Sequence, residues 1–294
     1  MDRMFRFCII DMDYVMHGLY NWTSIANNND ETLATAFDHD LATKLLNSLW
    51  NYIMGFIFKQ RQIRIYGGNN YMWGYTKIKN KTFHITMMGI ALMAILSLTK
   101  IKPETSIAGA SVIAGILFFF IVDNMDKKLQ IESGLRFKTF FSDMKKQWVI
   151  PLVLLTVATA IVSVVIGDII FNGMYSAHVI GRTDTMLSYN KIPLLTIQIV
   201  IAALVEEIAW RGFFLGKAIK FFPFWVCAFM SALLFAIAHI AIGNFGLVFY
   251  DVFTIFIDSI IYAIIYKKTG NCLITTVSHI LCNVAGIVFL MIFM

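Results

Sequence analysis

The residues best suited to chemistry lie in the last third of the chain. Glu206, Glu207 and Arg211 stand in VEEIAWRGF, Phe235 and His239 in FAIAH, and His279 and Asn283 in HILCN. In each stretch an i,i+4 pair places two side chains on one helix face. A carboxylate with two imidazoles can activate water, either directly as a general base or by holding a metal such as Zn²⁺. An Asn amide can donate a hydrogen bond to a developing oxyanion. Glu207 and Arg211 form a natural ion pair. Glu206 points about 100° away from Glu207 and has no partner on its own helix, so a purely structural role leaves it unexplained.

The elements that carry these residues are strongly apolar. The chain of 294 residues is 59% hydrophobic and 14% charged, with a mean hydropathy of +0.72. Soluble domains carry roughly 25% charged residues, and long apolar runs account for the deficit. Candidate spans occur at 83–99, 107–122, 149–171, 193–216, 224–242, 246–266 and 272–293. These predict an all-α, polytopic membrane helix bundle of about seven transmembrane helices. An ionisable side chain at mid-bilayer costs roughly 2.5–3.5 kcal/mol, so Glu206, Glu207 and Arg211 burden the fourth span by about 8–10 kcal/mol before pairing. Three helices with such polar positions imply one converging site.

Other segments are expected to stay at the surface. Residues 1–82 read as an N-terminal extension, and 83–294 as the transmembrane domain. Within 45–58, Leu46, Leu49, Trp50, Ile53 and Ile57 predict an interfacial amphipathic helix (an eighth span if it crosses), followed by a basic loop from Lys59 to Lys81. In 123–148, Phe137, Phe140, Phe141, Met144 and Trp148 oppose Arg136, Lys138, Lys145 and Lys146, which predicts a surface helix over 129–148. Asp2, Asp11 and Asp13 around a very short apolar run argue against a secretory signal. With the N-terminus cytoplasmic, seventeen Lys and Arg fall on the inner side against four outside, a strong positive-inside bias that puts the C-terminus outside. The net charge of +6 therefore follows the loops and does not indicate nucleic acid. Cys227, Cys272 and Cys282 lie in apolar runs and Cys8 stands apart, without a CxxC pair, so buried free thiols are expected.

Other peptidase patterns fail. There is no HExxH and no GxSG-like serine turn. Gly167–Asp168 and Tyr250–Asp251 resemble the paired aspartates of presenilin-type proteases only faintly, because Val165 replaces the first Gly of GxGD and the two aspartates come in reversed order. Asp258, midway along its span, is expected to face the bundle and accept hydrogen bonds.

The ordered set EExxxR, FxxxH and HxxxN on three membrane helices resembles the CPBP (Abi) family, the CAAX prenyl proteases and bacteriocin-processing enzymes. Gly212 and Phe213 after the Arg, and Gly270–Asn271 before the last helix, agree with it. The resemblance implies an intramembrane endopeptidase, metalloprotease or glutamate protease, with Glu206 as base and Glu207 with Arg211 as its supporting pair. His239 assists or ligates, and His279 and Asn283 serve as ligand or oxyanion donors. Were a metal such as Zn²⁺ bound, Glu206, His239 and His279 would hold it. The expected partners are membrane lipid and a hydrophobic or lipid-modified peptide, in the plasma membrane of a prokaryote. One competing function is a non-catalytic immunity or regulatory protein of the same fold, which ought to have lost the costly Glu206. Another is a transporter, which ought to show an internal repeat; none is visible.

Overall fold

In the computed structural model, 69–294 forms one compact unit, and residues 70–98, 108–129, 131–184, 191–241 and 243–293 are described. The expected interfacial helix at 45–58, residues 59–69 of the basic loop and Cys8 fall outside them. The chain runs as α1 (Asn70–Leu98), α2 (Ala108–Lys127), α3 (Phe140–Met144), α4 (Val149–Phe171), α5 (Met174–Asp184) and α6 (Ile192–Glu207). It continues through a π-helical turn (Ile208–Leu215), α7 (Gly216–Ala218), α8 (Phe224–Ala238), α9 (Phe245–Thr269) and α10 (Cys272–Phe293). No strand occurs among the described residues. Six helical stretches are long and apolar enough to cross a membrane, and α8 is a shorter apolar helix. The protein is a multi-pass membrane helix bundle.

Local chemistry sets the boundaries. Pro193 opens α6 and Pro223 precedes α8, positions where a missing N–H costs nothing. Asn244 caps α9 by accepting from the Gly246 amide, and Gly270, at φ +65°, ends it in a left-handed conformation that suits glycine.

Several boundaries differ from expectation. α1 starts at Asn70, so the last residues assigned to the basic loop are helical. The fifth span stops at Ala238, 15 residues long, because His239 leaves helical geometry. Residues 174–184, expected to be loop, form α5, whose first turn is held by the Ser176 amide and hydroxyl donating to Asp168.

The surface helix is the largest correction. Only Phe140–Met144 is helical. Around it the backbone is committed elsewhere: Gly134 O accepts from the Cys272 amide at 2.8 Å. The buried Asn271 side chain accepts from the Arg136 amide and donates to Arg136 O and to Asp143. Long-range bonds to the α9–α10 junction thus replace the i→i−4 ladder. Phe137 and Phe141 still face outward, as the apolar stripe requires.

The core is built around the π turn. Trp210, Phe213, Phe214 and Leu215 pack with Met93, Phe119, Val122 and Phe235. A Cβ on Gly115 would stand 2.6 Å from the Ala209 Cβ, so this glycine lets α2 approach the turn closely. At one end of the bundle the buried Lys217 donates to Asp123 (2.9 Å) and Asp126 (2.8 Å), with Lys220 also on Asp126. The loops 123–148, 217–223 and 267–271 meet at this end.

Candidate active site

The site is built from α6 with its π turn, α8, α9 and α10. Glu206 and Glu207 end α6, and Arg211 sits inside the π turn. Such turns inside membrane and soluble helices often mark functional sites. Arg211 Nη1 donates to Glu207 Oε1 at 2.8 Å, with both side chains at most 1% exposed, which realises the pair expected from the spacing. The second guanidinium arm donates to Ser259 Oγ at 2.7 Å and to Ser259 O at 3.3 Å. Its Cζ lies 4.7 Å from the Phe235 ring centroid and 4.9 Å from that of Tyr262, so two aromatic faces hold the cation.

His279 joins the same hub. Its Nδ1–H donates to Glu207 Oε1 at 3.0 Å, which fixes the ring and turns Nε2 toward Glu206 Oε2, 3.8 Å away. Tyr262 stacks on the imidazole at 5.1 Å and 27°. Arg211 and His279 thus converge on the same carboxylate oxygen of Glu207. Glu206 stands apart from that pairing, with its side chain 18% exposed.

His239 lies just past the end of α8. Its Nδ1 meets Phe235 O at 2.7 Å, and its ring centroid is 4.6 Å from that of Phe235. Phe235 in turn lies 6.1 Å from His279, so one aromatic ring touches both histidines and Arg211. Asn283 is half-buried one turn beyond His279 and makes no direct contact with the other polar groups of the hub. Among the described residues no three His, Cys, Asp or Glu side chains are grouped to hold a metal ion.

Sequence spacing missed two participants. Ser259 and Tyr262 sit on α9, the one helix of the site without a recognised motif. Their signal was faint: a Ser and a Tyr on the face following Asp258. Asp258 itself accepts a hydrogen bond from Thr159, with the Cys282 thiol 3.7 Å away, as a bundle-facing acceptor should. Cys227, Cys272 and Cys282 are buried free thiols. The alternative aspartate pair has a structural use. Asp168 holds α5, and the buried Asp251 accepts from Tyr175 and lies 3.4 Å from His178 Nε2.

Searches of the curated proteins and of the solved structures found no match to this chain. The model of a family of peptidases, described as type II CAAX prenyl endopeptidase Rce1-like, matches residues 188–285, in agreement with the resemblance drawn from the motifs. The matched stretch supplies every residue of the hub, from Glu206 to Asn283, and is similar to the Rce1-like type II CAAX prenyl endopeptidases.

Proposed function

We propose that the protein is an intramembrane endopeptidase in which Glu206 activates water to hydrolyse a peptide bond of a membrane-held substrate. The observation that carries this reading is the division of labour between adjacent glutamates. Glu207 is fully buried and paired, whereas Glu206 is partly accessible and faces the free edge of His279. A separation of 3.8 Å is too long for a direct hydrogen bond, but a water can lie within reach of both groups. Glu206 takes a proton from that water as its oxygen bonds to the scissile carbonyl carbon. The carbonyl oxygen becomes an oxyanion, stabilised by the Asn283 amide and the His239 imidazole. Collapse breaks the C–N bond, and Glu206 returns the proton to the leaving amine. Glu207, Arg211, Phe235, Ser259 and Tyr262 position this apparatus. Every step is served by side chains of the chain itself, with no step through a metal.

The substrate we propose is a lipid-modified, CAAX-like tail or a strongly hydrophobic peptide. The site lies within the spans, so a soluble folded protein could not present its backbone there, whereas an apolar tail already partitions into the bilayer. We place the N-terminus and the basic end of the bundle in the cytoplasm, in a prokaryotic plasma membrane, with the substrate entering from that side.

Glu206→Gln tests the mechanism. It keeps the shape and removes the base, so cleavage of a tailed peptide by purified protein should vanish while the thermal midpoint and membrane insertion stay unchanged. Wild-type turnover by this variant would remove Glu206 from the reaction. Failure of the wild type on all tailed peptides would favour a binding role for the same fold.

A further inference from the structure

A cavity lies away from the catalytic hub, at the end of the bundle where the basic loops meet. It encloses about 450 Å³, within the range of roughly 300–1,000 Å³ found for small-molecule sites. Its lining includes the apolar Ile219 and Phe224, the phenol of Tyr266, the cations Arg136 and Lys267, and the carboxylate of Glu132. None of these residues serves the proposed reaction.

Three observations point to the occupant. First, the Lys267 ammonium is held over the rings of Phe224 (4.4 Å) and Trp225 (5.2 Å), and no carboxylate pairs with it among the described residues. The rings orient the charge without neutralising it. Arg136 gives its terminal nitrogens to Glu132, Asp143 and Thr269 O, but its buried Nε has no hydrogen-bond partner among the described residues.

Second, the cavity sits where the spans end, since the apolar stretches stop at Ala218 and Thr269 and restart at Cys272. Phe137, Phe141 and Trp225 around it are 72%, 79% and 60% exposed, like the aromatic belts at membrane interfaces. Third, Lys138, Lys145, Lys146 and Lys268 crowd the same end, so the surrounding field favours an anion despite Glu132. At headgroup depth the abundant anion is a lipid phosphate, and basic pockets between helix ends bind such groups.

We propose that this cavity binds the phosphate headgroup of an anionic phospholipid, with Lys267 as its principal counter-charge, Arg136 beside it, and the first acyl carbons against Ile219 and Phe224. The site is independent of the peptidase reading.

The test uses the full-length protein in neutral detergent, titrated with phosphatidylglycerol or phosphatidylcholine of matched acyl chains. Bound lipid is read by native mass spectrometry and the thermal midpoint in parallel. Phosphatidylglycerol should be retained preferentially and raise the midpoint. Lys267→Gln should weaken that retention several-fold, while Lys268→Gln, the same charge change one residue outside the lining, should leave it near wild type. Soluble glycerophosphate at equal concentration should not compete. Equal retention of both lipids, equal loss in the two variants, or full competition by glycerophosphate would each overturn the proposal. The first two outcomes would indicate a diffuse surface effect, and the third a site for free phosphate.

Discussion

Adjacent glutamates in one helix have opposite fates because a helix turns about 100° per residue. Glu207 is directed into the bundle, where Arg211 and His279 meet it, and Glu206 is left partly exposed beside His279. Removing Arg211 is therefore a different experiment from removing the Glu206 charge. Arg211→Ala strands Glu207 as a buried carboxylate, at a cost of roughly 3–5 kcal/mol, and leaves Ser259, Phe235 and Tyr262 facing an emptied volume. The amount of folded protein recovered in detergent should fall together with activity, as size-exclusion profiles and thermal midpoints would reveal. A fully folded Arg211→Ala variant would show that Glu207 is neutralised without its arginine. Ser259→Ala is milder: one guanidinium arm loses its hydroxyl acceptor, worth about 1.5–3 kcal/mol for a charged hydrogen bond. The Glu207–Arg211 contact was legible because i,i+4 spacing dictates it. The role of α9 was not, since Ser259 and Tyr262 meet Arg211 only through tertiary packing, and a lone Ser and Tyr in an apolar helix carry no periodic signal.

At the scale of elements, the segment 131–147 shows how one pattern can arise from two structures. Its aromatic stripe has the period of a surface helix, but Asn271 and Gly134 draw the backbone into the α9–α10 junction, and a single short turn of helix survives. Periodicity reports which side chains face outward and is silent about where carbonyls and amides go. The π turn was equally hidden, since nothing in IAWRGFFL announces an altered hydrogen-bond register. Asp143 anchors the docked segment through Lys146 (2.8 Å), Thr139 (2.7 Å) and Asn271 (3.0 Å). Burial alone would raise its pKa, but these hydrogen bonds and the charge of Arg136 outweigh burial and hold the carboxyl below its ordinary value. A lowered folded-state pKa means that its stabilisation is complete above the unfolded value near 3.9. That stabilisation is lost as the pH falls through the lower folded value. Asp143→Asn should thus lower the thermal midpoint at pH 7, with the difference from wild type shrinking only in strong acid. An unchanged gap at pH 2 would show that geometry, and not charge, does the anchoring. At the other contact of the site, Gly115→Leu should force α2 away from Ala209, at about 1–3 kcal/mol, and be read as a lower midpoint.

For the whole molecule, apolar run length and the positive residues carried most of the architecture. The seven apolar runs are helices in the expected order, six of them long enough to span and the fifth the short α8, and the basic residues gather at one end. Boundaries were less legible, because a short helix such as α8 is cut by a single residue leaving helical geometry, not by a change in hydropathy. Reporter fusions check the orientation: those after Lys128 and Lys268 should read cytoplasmic, and those after Lys102 or at the C-terminus external. The opposite pattern would invert the proposed substrate route. Matched peptides with and without a lipid tail, offered to oriented vesicles, test that route directly. Only tailed peptides presented on the cytoplasmic face should be cut.

The buried lysine at the basic end has a further consequence for how the chain is made. Asp123 and Asp126 are synthesised 94 and 91 residues before Lys217. At roughly 5–20 residues per second, these acids wait on the order of ten seconds for their counter-charge. Until it arrives, Asp123 has only Lys127 beside it, at 3.4 Å, and Asp126 lacks the lysines that pair with it, so this end of α2 cannot seal against its neighbours without burying an unpaired carboxylate. Lys217 follows Arg211 by six residues, so the ion pairs at that end and the Glu207–Arg211 pair draw on the same stretch of chain. Biogenesis is thereby ordered: the bundle locks only once the helix that bears the glutamates has been inserted.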